Sequence, residues 1–199
     1  MAEIRANGVR HVILGVERYA GPLYGALPAG AVIARFGVGH DGIDKALASA
    51  RGLLCTNTPG TLDDSVAEFT IGLLLAAARH TVAVASDLRA GRWAPQLGSA
   101  LKGKTLAIIG CGPIGQRVAG IAARGLGLKV IGVKRSADGA ERLMRDHGFA
   151  SVTTDFATAV RDADFVSLHI PSGPETKHFV NGERLALLPA RCWLINTAR

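Results

Sequence analysis

A glycine-rich turn between an apolar run and an amphipathic segment constrains this chain more than any other feature. Residues 106–109 are apolar and lead directly into Gly110-Cys111-Gly112-Pro113-Ile114-Gly115. This order predicts a strand, a tight turn and the start of a helix, which is how proteins bind the pyrophosphate of a dinucleotide. Gly110 permits the turn, Gly112 lets the backbone approach the phosphates, and Gly115 lets the helix lie close to the strand. The N–H groups at the helix start attract the anion; strand–turn–helix packing without a ligand is the alternative.

Short apolar runs alternate with helical patterns after residue 104, and this alternation predicts a doubly wound parallel α/β sheet of the Rossmann type. The predicted strands cover residues 105–110, 129–134, 151–153, 164–168 and 192–196. The predicted helices cover residues 114–125, 138–147, 155–161 and 182–187. We place this domain, incomplete at its C-terminus, at residues 99–199 and a partial second domain at residues 1–98.

The first half of the chain carries three nearly continuous apolar runs, at residues 11–15, 31–36 and 53–56, as expected for strands covered on both faces. A long helix is predicted over residues 65–90. Its middle, Ile71 to Ala78, is apolar almost all round and is expected to be buried on most sides. That demand exceeds what two small half-domains supply, so we expect a partner surface here.

The composition is that of a globular protein, with 48% hydrophobic and 20% charged residues. No apolar run reaches the ~20 residues of a membrane span. Cys55, Cys111 and Cys192 are scattered without a paired or metal-binding spacing, so a cytoplasmic location is the simplest expectation and no metal site is predicted. The net charge of +7 comes from dispersed Lys and Arg, which favours an anionic small-molecule ligand over nucleic acid.

The residues after the second predicted strand indicate which dinucleotide is preferred. A domain of this type that binds NAD places Asp or Glu there, about 20 residues past the glycines, on the ribose 2′-hydroxyl. Here Lys134, Arg135 and Ser136 occupy that place. A carboxylate would repel a 2′-phosphate, whereas two cations and a hydroxyl would bind one. The segment therefore favours NADP(H); NAD(H), with an ordinary solvated strand end at these residues, is the alternative.

Four segments together resemble the D-isomer-specific 2-hydroxyacid dehydrogenases. The first is the loop at residues 37–44, Gly-Val-Gly-His-Asp-Gly-Ile-Asp, and the second is residues 52–80, with an Asn-Thr-Pro segment and the helix after it. The third is the glycine turn. The fourth runs from Ala163 through His169 and Pro171 to the terminal Asn-Thr-Ala-Arg. These segments follow the family's order across nearly the whole chain.

The resemblance implies part of a flavodoxin-like substrate domain, a homodimer, and reduction of a 2-oxo acid to a D-2-hydroxy acid with a nicotinamide cofactor. Arg199 would be the catalytic residue that clamps the substrate carboxylate and carbonyl, because a planar guanidinium suits a carboxylate. The N–H groups of Val38 and Gly39 would hold the same carboxylate. Pro113 and Ile114 would lie at the pyrophosphate. The other residues expected along the cofactor are Val66, Ile170, Pro171, Thr176, Thr197 and Ala198.

The resemblance also marks what this sequence lacks. The family's proton donor, a histidine paired with a glutamate, lies beyond the arginine motif at which this sequence ends. Without a general acid, a rate lower by ~10²–10⁴ is expected, so we expect a fragment with little or no turnover. Lys134, Arg135 and Ser136 favour the glyoxylate or hydroxypyruvate reductase subtype. The alternative function is a non-catalytic dinucleotide-binding module, or a decayed relative without the acid.

Overall fold

The computed structural model describes residues 2–198, which form two compact units divided between Leu62 and Asp63. The first unit is built on a three-stranded parallel sheet in the order β1-β2-β3. The strands are β1 (Val12–Leu14), β2 (Val32–Arg35) and β3 (Leu54–Thr56), and they confirm the three strands predicted from apolar runs. The helices are α1 (Ala2–Ala6), α2 (Gly21–Ala26) and α3 (Lys45–Ala50). No helix was predicted in these places, because segments of five or six residues carry little periodic signal.

Burial in the first unit follows the strand pattern. Apolar side chains from the strands and helices form a single cluster, which includes Leu14, Tyr24, Ile33, Ala48 and Leu53. The Tyr24 hydroxyl accepts a hydrogen bond of 2.8 Å from the Asp44 N–H, immediately before α3. The Asp44 carboxylate in turn caps α3 by accepting from the Leu47 N–H at 2.9 Å. These bonds fix the end of the loop at residues 37–44 against the core.

The helix predicted over residues 65–90 is two helices, and the prediction of one continuous helix is wrong. They are α4 (Asp63–Ala78) and α5 (Thr81–Arg89), bent by 66°. The break falls at His80, whose backbone is left-handed with φ of 52°, and a left-handed residue interrupts the helical hydrogen-bond ladder. Burial on most sides is not reached within the single chain, and burial against a partner stays a prediction. One face of α4 is buried, while Phe69, Leu73 and Leu75 are exposed.

Helices α4 and α5 are the elements to consider as a possible membrane span. No single helix among residues 2–198 combines the length and hydropathy needed to cross a membrane. Only the bent pair α4 and α5, taken together, reaches that length and composition.

The second unit contains a five-stranded parallel sheet in the order β6-β5-β4-β7-β8. Its strands are β4 (Thr105–Ile109), β5 (Lys129–Val133), β6 (Ser151–Thr153), β7 (Phe165–Leu168) and β8 (Trp193–Asn196). Its further helices are α6 (Pro113–Gly120), which continues as a π-helical turn (Ile121–Gly125), α7 (Ala140–His147), α8 (Phe156–Val160) and α9 (Gly182–Ala186). The order is the first five strands of the doubly wound Rossmann arrangement, so the fold-class prediction is confirmed.

The sheet of the second unit is covered on both faces. Alternate side chains of β4 point to opposite layers: Leu106 and Ile108 join one core cluster, and Ala107 and Ile109 join the other. Helix α4 contributes to the first cluster through its buried face, which consists of Ala67, Ile71, Leu74 and Ala78. By packing, α4 therefore belongs to the second unit, whereas the sequence places the domain boundary between residues 98 and 99. That functional division stays a prediction.

Asp164 connects the amino ends of the central strands. Its carboxylate accepts hydrogen bonds from the Thr105 N–H at 3.0 Å and from the Lys104 ammonium at 3.1 Å, and a longer one of 3.4 Å from Arg191. Burial raises the pKa of the Asp164 carboxyl, but the Thr105 N–H and the two cations together outweigh it. The net pKa lies below the ordinary value of 3.8, so the ionised form stabilises the folded protein.

We predict that Asp164→Asn lowers the free energy of unfolding at neutral pH by about 1–3 kcal/mol, because the partly buried Thr105 N–H and both cations lose a charged acceptor. A lowered folded-state pKa gives stability that is present above pH 3.8 and lost as the pH falls through the folded-state value. Urea unfolding at neutral pH and in strong acid measures both effects. The exposed Asp162→Asn is the matched control; an equal loss for Asp164→Asn at both pH values would contradict the charge argument.

Candidate functional site

Residues of the predicted site follow the carboxyl ends of the parallel strands in the second unit, and parallel strands bring those ends to one edge of the sheet. The Gly110 N–H after β4 donates to the Val133 carbonyl of β5 at 2.9 Å. The His169 N–H after β7 donates to the Ile109 carbonyl of β4 at 2.7 Å. The segments after β4, β5 and β7 are therefore neighbours at this edge, as the sequence predicts.

The three glycines of the turn differ in what surrounds them. Gly110 has φ of 102°, and a Cβ there would lie 2.5 Å from the His169 carbonyl oxygen. A Cβ at Gly115 would lie 2.2 Å from the Gly110 oxygen, so only glycine lets α6 begin so close to the strand. A Cβ at Gly112 would meet no atom within 4 Å among the described residues. Gly112 therefore faces open space, which is what backbone approach by a ligand requires.

The start of α6 offers unpaired donors beside this open space. Gly112 is the N-cap and gives no side-chain cap, and Pro113 has no N–H. The Ile114 and Gly115 N–H groups have no acceptor within residues 2–198, as expected in a first helical turn. The Gln116 side chain, which the sequence did not single out, braces the turn by donating to the Cys111 carbonyl at 2.9 Å. Free donors and an open backbone fit a pyrophosphate.

The cations predicted to bind a 2′-phosphate lie directly after β5, and both have partners. The Lys134 ammonium donates to the Asp138 carbonyl within the same loop. The Arg135 guanidinium forms an ion pair of 2.6 Å with Glu175, and the two side chains are 90% and 76% exposed. Ser136 is exposed beside them. A phosphate bound at Arg135 would therefore compete with Glu175. The spacing of the sequence does not reveal the Arg135–Glu175 pair, because the two residues are 40 positions apart.

The loop after β7 contains three of the predicted cofactor residues. The Ile170 Cγ2 atom lies 3.1 Å from the position that a Cβ of Gly110 would take, so Ile170 packs against the glycine turn. Pro171 is exposed. The Thr176 hydroxyl is within hydrogen-bond distance of the Pro171 carbonyl, at 2.5 Å, and of the Gly173 carbonyl, at 3.2 Å. The Thr176 side chain thus stabilises this loop by hydrogen bonding to backbone carbonyls of the same loop.

Two titratable side chains near the turn are uncharged at neutral pH. Burial lowers the pKa of His169 to about 4, and its Nε2 atom lies 2.9 Å from the Ser167 hydroxyl. Burial raises the pKa of the Cys111 thiol to about 11, against a smaller opposite effect of Lys134. Both side chains are therefore neutral, and the protonated thiol makes Cys111 a poor nucleophile.

Thr70 links two of the predicted nicotinamide-side residues. Its hydroxyl is fully buried and donates to the Val66 carbonyl one turn earlier on α4, at 2.8 Å. It also lies 2.8 Å from the Thr197 hydroxyl after β8. Since the Thr70 proton goes to Val66, Thr197 is the donor of that second bond. Sequence reasoning missed Thr70; its signal was a polar residue on an otherwise apolar helix face.

The final residues of the predicted site are described only in part. The Ala198 N–H donates to the Asn196 side-chain oxygen at 2.9 Å and turns the chain after β8. Arg199, predicted to be the substrate-binding catalytic residue, lies outside the described residues.

The loop predicted to bind the substrate carboxylate belongs to the first unit. The Val38 and Gly39 N–H groups have no acceptor within residues 2–198, so both are free to donate. Asn57 stabilises the loop, because its side-chain amide donates to the Val38 carbonyl at 2.9 Å. The Thr58 N–H donates to the Gly37 carbonyl at 3.2 Å. Asn57 is a positioning residue that sequence reasoning did not identify, although its Asn-Thr-Pro segment was noted.

Known proteins are similar to this chain over most of its length. The glyoxylate reductase of Thermococcus litoralis is 38% identical over 177 residues, which are 84% of this chain and 52% of the relative. The hydroxypyruvate reductase of Thermotoga maritima is 37% identical over 170 residues, which are 84% of this chain and 53% of the relative. The chain therefore spans about half the length of these relatives.

A solved structure and a family model agree with these relatives. The D-lactate dehydrogenase of Aquifex aeolicus, solved with NAD and lactic acid, superimposes with a TM-score of 0.85 at 27% identity, covering 100% of this chain and 60% of that one. Residues 71–199, well over half of the chain, match the family described as D-isomer specific 2-hydroxyacid dehydrogenase, NAD binding domain. The chain therefore belongs to the D-isomer specific 2-hydroxyacid dehydrogenase family.

Proposed function

We propose that this chain provides the dinucleotide-binding part of an oxidoreductase that interconverts a 2-oxo acid and a D-2-hydroxy acid. The observation that carries the proposal is the glycine turn, where Gly112 is open and the Ile114 and Gly115 N–H groups are unpaired. The similarity to a glyoxylate reductase and a hydroxypyruvate reductase supports these small 2-oxo acids as the substrate class.

Each group of residues has a distinct task in this proposal. Gly112 and the start of α6 bind the pyrophosphate through backbone N–H groups. Val38 and Gly39 donate to the substrate carboxylate, and Arg199 orients the substrate through carboxylate and carbonyl. A nicotinamide held there would supply or accept the hydride at the substrate C2 atom, while a proton is added to or removed from the C2 oxygen. We do not assign His169 as the proton donor, because a group with a pKa of about 4 is protonated only in acid.

The remaining predicted residues are assigned to orientation of the nicotinamide. Val66 and Thr197 are connected through the buried Thr70 hydroxyl, which limits the freedom of both. We propose that these residues, together with Ile170, Pro171 and Ala198, hold the ring and exclude water beside it.

We predict that Gly112→Ala lowers affinity for NADH and NADPH at least about tenfold, because the new methyl group would keep the pyrophosphate away from the protein backbone. The fold should be unchanged, because a Cβ at this position meets no other atom of the described residues and the φ of −73° at Gly112 is one that alanine adopts readily. Calorimetric titration with both nucleotides measures the effect. Gly72→Ala is the matched control, because Gly72 on α4 is equally open. Undiminished binding by Gly112→Ala would contradict the proposed site.

For the cofactor, we propose NADP(H), with Lys134, Arg135 and Ser136 at the 2′-phosphate. We predict that Glu175→Gln raises NADPH affinity by about two- to fivefold and leaves NADH affinity unchanged, because Glu175 no longer competes for Arg135. Arg135→Gln should lower the preference for NADPH. The exposed Glu183→Gln is the matched control for removal of a charge. Equal binding of NADPH and NADH by the unmodified chain would contradict this assignment.

We further propose a homodimer through the exposed apolar side chains of the second unit. Phe69 on α4 is 63% exposed and Leu97, in the segment after α5, is 98% exposed. Light scattering should give twice the mass of the chain, and Phe69→Ser should shift the equilibrium toward the monomer. Val16→Ser removes an exposed apolar side chain from the first unit and should have no effect. A monomer mass for the unmodified chain would contradict the proposal.

Two further assignments stay predictions. A cytoplasmic location is proposed from the three cysteines, which are free thiols. We propose no nucleic-acid partner, because Lys104 and several arginines are paired with nearby carboxylates rather than arranged as a basic surface.

A further inference from the structure

The first unit contains a buried cation with an unpaired donor. Arg35, the last residue of β2, is only 5% exposed. Its Nη1 atom is buried and has no hydrogen-bond partner within residues 2–198. Buried guanidinium donors are nearly always paired, because an unpaired buried donor or charge is unfavourable. A fold that keeps one in place requires an explanation.

The guanidinium lies directly against the predicted substrate loop. A Cβ at Gly37 would be 2.6 Å from Arg35 Nη1 and 3.0 Å from both Cζ and Nη2. Gly37 also has φ of 133°, so a side chain is excluded by conformation as well as by space. Val38 and Gly39 follow at once, and consecutive Cα atoms are about 3.8 Å apart, so their free N–H groups lie within roughly 8 Å of the Gly37 Cα atom.

The surrounding acidic groups leave this charge incompletely balanced. Glu17 is exposed, and a hydrogen bond from Tyr19, with a smaller contribution from Arg35, lowers the pKa of its carboxyl. The field of Arg35 therefore reaches Glu17, although no hydrogen bond joins Nη1 to it. Asp41, further along the loop, has an interaction of its own. In and beside the loop, the Val38 and Gly39 N–H groups and Arg35 Nη1 are donors without an acceptor among residues 2–198.

We propose that Arg35 is a positioning residue for an anion at the Gly37 loop, and that the site favours ligands with two negative charges over ligands with one. Arg35 is covered by the loop, so its charge acts through the loop on an anion bound to Val38 and Gly39. Coulomb attraction grows in proportion to the ligand charge. The proposal rests on the proposed function, since it concerns the loop assigned to the substrate carboxylate.

The test is NMR titration of the full chain with oxalate, a dianion, and with oxamate, a monoanion of nearly the same size. The backbone N–H signals of Val38 and Gly39 report binding. Arg35→Met keeps an unbranched side chain without charge, Arg35→Lys keeps the charge, and the exposed Arg10→Met is the matched control. We expect Arg35→Met to lower oxalate affinity at least about tenfold and oxamate affinity less, with most affinity retained by Arg35→Lys.

A steric role would give a different result. If Arg35→Met and Arg35→Lys weaken both ligands equally, or if Arg35→Met changes neither affinity, the proposal is overturned. If Arg35→Met does not fold, the Arg35 Nε–H signal of the unmodified chain decides: a larger shift with oxalate than with oxamate supports the proposal, and no shift overturns it.

Failure of this proposal can be distinguished from failure of the proposed function. Equal oxalate binding to the unmodified chain and to Arg35→Met removes the role of Arg35 and leaves the carboxylate loop intact. If neither anion shifts Val38 or Gly39 in the unmodified chain, both the loop assignment and the Arg35 proposal are overturned. Nucleotide binding at Gly112 is measured separately and is unaffected by either outcome.

Discussion

The close contact between Gly115 and the Gly110 carbonyl determines how α6 begins beside β4, and the candidate nucleotide site depends on it. A Cβ at Gly115 would lie 2.2 Å from that oxygen and 3.2 Å from Ile108, so α6 can begin directly beside β4 only without a side chain there. The close approach directs the first N–H groups of α6 toward the carboxyl edge of the sheet. It also leaves Gly112 at the outer surface of the turn, in open space. This packing constraint thereby leaves the first N–H groups of α6 unpaired beside an open turn.

The same arrangement of donors recurs in the first unit on a different framework. Val38 and Gly39 present free N–H groups from a loop rather than from a helix, and Asn57 holds the loop through the Val38 carbonyl. In the glycine turn the open Gly112 leaves the backbone accessible, and in both places the free N–H groups are donors suited to an anion. A nucleotide pyrophosphate and a 2-oxo acid are both anions, so the two loops match the two reactants of the proposed reaction.

The sequence was sufficient to predict what depends on local pattern. All five strands of the second sheet were predicted: four contain apolar runs, whereas β6, Ser-Val-Thr, followed from the alternation of strands and helices. The roles of Gly110 and Gly115 were predictable because the turn uses each glycine for one steric reason. The break at His80 was not, because nothing in an apolar helical pattern marks a left-handed residue. The Arg135–Glu175 pair was missed because it joins loops 40 residues apart.

Thr70 shows how a polar side chain can serve a buried helix face. A buried hydroxyl without partners would destabilise the apolar cluster around α4, but the Thr70 O–H donates to the Val66 carbonyl and its oxygen accepts from the Thr197 hydroxyl. Valine, which has nearly the same shape, would fill the space and leave the Thr197 hydroxyl without that partner. The hydrogen bond between Thr70 and Thr197 therefore fixes the relative orientation of the two side chains, which apolar packing alone would not do. It fixes the segment after β8 relative to α4, where the sequence places the nicotinamide.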